Sequence, residues 1–79
     1  MHPSFIKAEL QLKGFRMRTL AKRLHVTDSS VWRVVHGEAR SRRIAKEISR
    51  ITGIPVSQLW PQRYPEIELA EIRAGRSAA

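Results

Sequence analysis

Apolar residues recur every three or four positions through most of this 79-residue chain, which is the period of amphipathic α-helices. The pattern predicts five helices, at residues 4–13, 17–24, 28–36, 42–52 and 56–60. Glycine or proline follows four of them and is a common helix end. We therefore expect an all-α fold. A compact five-helix domain would cover residues 1–64, followed by a C-terminal tail, 65–79, which begins as a short helix at Pro65 and ends disordered.

The segment from Met17 to Gly37 contains two short amphipathic helices joined by a turn at residues 25–27. In the second of these helices three valines fall on one face, and the opposite arc is polar and aromatic. A helix that buries one stripe and leaves the other free is typical of a helix-turn-helix, whose second helix lies in the major groove of DNA. The segment thus predicts a DNA-reading element.

The residues at the helix ends predict how well the two helices are held. Thr27 and Ser41 are good N-caps, because a hydroxyl oxygen can accept a free backbone N–H bond. Arg16 is a poor cap for the second helix, and His25 stands in the turn where glycine is frequent because a positive φ is needed. Trp60 is expected to fold back onto the core from the fifth helix.

Positive charge is concentrated on the same part of the chain. The protein has 15 Lys and Arg against 7 Asp and Glu, a net charge of +8, and residues 13–50 alone hold 11 basic and 3 acidic groups. Such a field favours polyanions, although a basic solvated surface is the plainer explanation. The side chains that we expect to contact DNA phosphates are Arg18, Thr19, Lys22, Thr27, Arg40, Arg42 and Arg43.

The outer face of the predicted recognition helix offers the chemistry of base reading. Arg33 can donate two hydrogen bonds to guanine, and Trp32 offers a flat apolar face to a thymine methyl group. Ser29 and His36 can bond to base edges or phosphate, and Asp28 can accept from cytosine. The predicted base contacts are Asp28, Ser29, Trp32, Arg33 and His36.

Each of these side chains also has a structural explanation. Trp32 could pack under the tail or at a dimer contact, since indoles seldom stay exposed. Arg33 could be an ordinary surface arginine, and His36 a favourable charge at the end of its helix. Asp28 could equally serve as a partner of the helix dipole in the first turn.

The sequence shows few features of enzymes, metal-binding proteins or membrane proteins. The acidic residues are scattered, the three histidines at 2, 25 and 36 lack zinc-ligand spacing, and there is no cysteine. No glycine-rich phosphate loop, membrane span or signal peptide is evident. We expect no enzymatic activity, cofactor, metal, membrane partner or small-molecule ligand.

The order of these elements, with TLAKRLHV in the second helix and LWPQRY at residues 59–64, resembles the Ner family. These are small negative regulators of Mu-like transposable phages, within the lambda-repressor-like helix-turn-helix superfamily. The resemblance covers residues 4–64. It implies a lambda-repressor-like five-helix domain that represses phage genes, with DNA-facing positions at Thr27, Asp28, Ser29, Trp32, Arg33 and His36.

The leading hypothesis is a sequence-specific regulator of double-stranded DNA, a repressor of phage or prophage genes in the bacterial cytosol or nucleoid. It would act as a homodimer at least on DNA, with half-sites about one turn, ~34 Å, apart. Two alternatives stay open. One is an antitoxin-like protein that uses residues 65–79 to hold a partner and regulates its own gene. The other is a nonspecific nucleic-acid-binding protein.

Overall fold

Six helices make up the fold in a computed structural model that describes residues 1–78, with side chains for residues 1–73. They are α1 (Pro3–Leu12), α2 (Met17–Leu24), α3 (Asp28–Val35), α4 (Arg42–Thr52), α5 (Val56–Leu59) and α6 (Pro65–Ala78). The all-α prediction is confirmed. The first five helices lie within one or two residues of their predicted limits.

The predicted helix caps form as expected. The Thr27 hydroxyl accepts from the N–H of Ser30 at 3.1 Å, and the Ser41 hydroxyl accepts from that of Ile44 at 3.2 Å. Arg16 gives α2 no side-chain cap, and His25 ends α2 at φ 58°, the left-handed conformation expected of it. A histidine tolerates this conformation less well than glycine, so the turn is formed at some cost in stability.

The core lies where the apolar stripes of the helices converge. α2 packs mainly on α3, and α1 lies against both α3 and α4. Ala21 of α2 is almost fully buried, and its small side chain lets α3 cross closely. The three valines of α3 are buried in the same cluster. α3 is therefore fixed by packing, because valine itself is a weak helix former.

The segment after α5 contacts the end of α3 and the residue before α4. The indole N–H of Trp60 donates to the carbonyl oxygen of Val35 at the end of α3, at 3.2 Å. The buried Tyr64 hydroxyl accepts from the N–H of Ser41, just before α4, at 3.1 Å. The prediction that Trp60 folds onto the core is confirmed.

α6 is longer than the short helix expected at Pro65, since it continues to Ala78. Its carboxylates hold backbone N–H groups of the preceding segment. Glu71 accepts from Val56 at 2.7 Å, and Glu68 accepts from Gln62, also at 2.7 Å. The expected disorder falls on residues 74–79, whose side chains lie outside the described residues.

Removing the Thr27 cap should loosen the start of α3. We expect Thr27→Ala to lower the free energy of unfolding by about 1 kcal/mol, because Ser30 loses a partner for its backbone N–H. Urea denaturation followed by circular dichroism measures the change. Thr19→Ala, an exposed threonine in α2, is the matched control and should stay within about 0.5 kcal/mol of the starting protein. Equal losses in the two variants would contradict the capping role.

Candidate nucleic-acid interface

α3 separates a buried face from an open one, as its sequence pattern predicts. Val31, Val34 and Val35 are buried, whereas Asp28, Ser29, Trp32 and Arg33 are exposed along the other side. The side chains proposed to read bases therefore lie on the outer face of α3. Of this set only His36, which follows α3 as its C-cap, is half-buried.

Trp32 and His36 form a stacked pair on the outer face of α3. Their ring centroids lie 3.9 Å apart with planes inclined by 22°. The ammonium of Lys7, from α1, lies 6.0 Å from the centroid of the Trp32 ring. Trp32 is nevertheless 42% exposed, so it does not pack under the tail. The stack fixes the indole orientation, and an apolar edge is left for contact with a partner.

A groove of about 340 Å³ runs between the starts of α2 and α3. Its lining includes Arg18, Asp28, Trp32 and Arg33. Arg18 and Asp28 face each other across it, with nitrogen and oxygen 3.8 Å apart, and both side chains are largely solvent-exposed. Asp28 thus has a local cationic partner besides its position in the first turn of α3. Such an exposed pair is weak and can open when a phosphate approaches.

Arg33 also belongs to a second groove, which leads towards α4. This groove has a volume of about 300 Å³ and places Arg33 near Arg40 and Ser41. Arg40 and Arg42 in turn line a third groove together with Tyr64 and Glu66. The predicted base contact Arg33 is thereby joined to the predicted phosphate contacts on the far side of α3. Arg33 thus lies between a groove that holds Arg18 and grooves that hold Arg40 and Arg42.

Arg40 and Arg43, like Arg18, have partners inside the protein. Arg40 donates to a carboxylate oxygen of Glu66 at 2.8 Å and lies over the ring of Tyr64, 5.1 Å from its centroid. Arg43 donates to the carbonyl oxygen of Leu24, the last residue of α2, at 2.5 Å. A guanidinium has five N–H donors, so both side chains retain donors for a phosphate.

The remaining predicted phosphate contacts have simpler surroundings. Thr19, Lys22 and Arg42 are exposed. The Thr27 hydroxyl is already engaged with the backbone and hydroxyl of Ser30. Its role in the described structure is that of a cap.

Reasoning from the sequence missed Lys7 and Glu66 as members of this surface. Lys7 reaches Trp32 from α1, and Glu66 holds Arg40 from the start of α6. Both contacts depend on how distant helices cross. Helical periodicity predicts which face of a helix is buried, but it does not predict which other helix packs against that face. No local signal in the sequence therefore identifies these two residues.

Comparison with known families agrees with this geometry. Residues 1–74 match a family described as winged helix-turn-helix DNA-binding. The chain belongs to this winged helix-turn-helix DNA-binding family. Searches among curated proteins and among solved structures gave no significant match. Double-stranded DNA is accordingly the partner of this domain.

The described part of the chain differs from the winged architecture that the family description names. Over residues 1–78 every regular element is a helix, so that part of the chain carries the helix-turn-helix without a β-stranded wing. Within the same described part, no helix is long and apolar enough to cross a membrane. The described side chains also include no cluster of histidine and carboxylate groups that could hold a metal ion.

Proposed function

We propose that the protein is a sequence-specific transcriptional repressor that inserts α3 into the major groove of its operator. The observation that carries this proposal is the division of α3 into a buried valine face and an open face. The open face carries Ser29, Trp32 and Arg33 and is flanked by basic grooves on both sides. Major-groove reading requires such a rigid helix with free donors, and phosphate contacts on either side fix its register.

The resemblance of residues 4–64 to the Ner regulators supports a role in repressing phage or prophage genes. Repression requires only that a bound protein cover a promoter, and a domain of this size can do so through the contacts described above. The protein would then act in the bacterial cytosol or nucleoid. Under this proposal residues 1–64 form the DNA-binding unit and 65–79 a C-terminal tail that supports it.

A binding selection over random duplex DNA with purified protein tests the proposal. We expect recovery of one preferred sequence of limited length, with a twofold symmetry if two copies bind. When that sequence is placed across the promoter of a reporter gene, expression of the reporter should fall in the presence of the protein. Protection of DNA without any preferred sequence at moderate salt would contradict specific reading.

Arg33 is expected to carry much of the base discrimination. Arg33→Ala should weaken binding to the selected site by about 1–3 kcal/mol and relax the preference at one or two base pairs. Titration of duplexes with single base-pair changes measures this. Arg73→Ala, which removes an equal charge from α6, is the control and should leave the preference unchanged. If the Arg33 variant keeps the full preference, its assignment to a base is wrong.

A further inference from the structure

α1 has a second apolar stripe on the side that faces solvent. It consists of Phe5, Ala8 and Leu12, which are all exposed, and is called the outer stripe below. Phe5 is 65% exposed and Leu12 77%, the two largest exposures among the large hydrophobic residues of the described chain. The inner face of α1, with Ile6 and Leu10, is already buried in the core. The outer stripe is therefore not needed for the fold.

The spacing of the outer stripe is that of a helix–helix seam. Its members are three and four residues apart, the spacing by which two helices pack side by side. When two such helices run antiparallel, Phe5 of one copy lies opposite Ala8 of the other, so that a large side chain meets a small one. The stripe is thus complementary to itself.

The distribution of charge favours a second copy of the chain as the occupant. α1 carries one basic residue, Lys7, and one acidic residue, Glu9, whereas α2 and α4 each have a net charge of +3. Two chains of net charge +8 therefore repel each other less across α1 than across α2 or α4. An acidic partner protein would instead be drawn to the basic helices. We propose that the outer stripe is the surface through which two copies associate on DNA.

Antiparallel pairing also places both recognition helices on one side of the dimer. Lys7 lies beside Trp32 of α3. With 3.6 residues per helical turn, Lys7 is rotated about 130° around the α1 axis from the centre of the outer stripe. The twofold axis that relates two antiparallel helices is perpendicular to the plane that contains them. Side chains a quarter turn from the contact therefore point in the same direction in both copies. Both Lys7 flanks, and with them both α3 helices, therefore face the same DNA. The expected operator is a palindrome.

The size of the outer stripe explains why DNA would be needed. It offers on the order of 300 Å² of apolar surface per copy, well below the roughly 800 Å² per partner of a stable interface. Association is therefore weak in solution. DNA with two adjacent half-sites holds the copies at an effective concentration in the millimolar range, where a weak contact is sufficient. Cooperative binding to the full site is the consequence.

The first test compares DNA with one half-site and DNA with two, and rests on the proposed function. We expect the variant Phe5→Ser/Leu12→Ser to bind the half-site within twofold of the starting protein. On the full site it should lose at least tenfold in affinity together with its cooperativity. Gln11→Ser, an exposed change on α1 outside the outer stripe, should lose neither. Unchanged cooperativity in the double variant would overturn the inference.

The second test needs no DNA and so stands apart from the proposed function. Since the chain has no cysteine, Ala8→Cys and Gln11→Cys each carry one thiol. A short bismaleimide added at millimolar protein concentration should join Ala8→Cys into dimers at least fivefold more than Gln11→Cys. Equal yields would overturn the inference. If no DNA sequence is preferred but this difference is found, the proposed function fails and the self-association surface stands.

Discussion

Trp60→Ala is expected to lower the free energy of unfolding by about 3–5 kcal/mol. The indole is only 7% exposed, and its N–H donates to the Val35 carbonyl oxygen. Its ring also meets that of Tyr64 edge-on, with centroids 5.9 Å apart. Truncation removes the apolar contacts, leaves a cavity and deprives the Val35 carbonyl oxygen of its hydrogen-bond donor. Because a domain of this length has roughly 4–12 kcal/mol of total stability, this loss is at least about a quarter of the total and should lower the urea midpoint strongly.

Urea denaturation followed by circular dichroism measures this loss, with two comparisons. Trp60→Phe keeps most of the apolar volume and loses the hydrogen bond, so its cost should fall between those of alanine and the starting protein. Trp32→Ala removes the exposed tryptophan and should cost less than about 1 kcal/mol. If Trp32→Ala and Trp60→Ala proved equally destabilising, the division between a structural and a DNA-facing tryptophan would be wrong.

The same contact explains what the LWPQRY segment does for DNA binding. Trp60 fixes the end of α3 through Val35, and Tyr64 fixes the start of α4 through Ser41. These two points flank the loop that carries Arg40. A segment outside the helix-turn-helix thus fixes the end of α3 and the start of α4, where the proposed phosphate contacts Arg42 and Arg43 lie.

The helix-turn-helix could be predicted from sequence because its signals are local. The valines of α3, the caps Thr27 and Ser41, and the left-handed His25 all act within one or two helical turns. The limits of the first five helices follow from such patterns. The polar part of the open face of α3 follows too, since Asp28, Ser29 and Arg33 would lose their hydration on burial. The exposure of Trp32 could not be predicted in this way.

α6 was harder to predict because its inner face is partly polar. Beside the buried Ile67, the carboxylates of Glu68 and Glu71 accept backbone N–H groups at the turn after α5 and at the start of α5. A search for an apolar stripe cannot recognise a helix that docks through carboxylates. The partners of Arg40 and Arg43 were missed for a related reason, since they lie 26 and 19 residues away in the chain.

DNA binding is expected to weaken about 500-fold when monovalent salt is raised from about 50 to about 200 mM. Five basic side chains are proposed to contact phosphates: Arg18, Lys22, Arg40, Arg42 and Arg43. Each neutralised phosphate contributes about −0.9 to the slope of log affinity against log salt concentration, so the slope should be about −4.5. Fluorescence anisotropy on the selected duplex at four or more salt concentrations measures it.

Two substitutions in α4 distinguish direct contacts with DNA phosphates from attraction by the net positive charge of the protein. Arg42→Gln removes a charge from the groove beside Arg40 and should make the slope shallower by about 0.9. Lys46→Gln removes the same charge from an exposed position of α4 that is not proposed to contact phosphate, and the slope should not change. If both variants shifted the slope equally, affinity would follow net charge alone. The basic grooves around α3 would then attract DNA without fixing the position of the recognition helix.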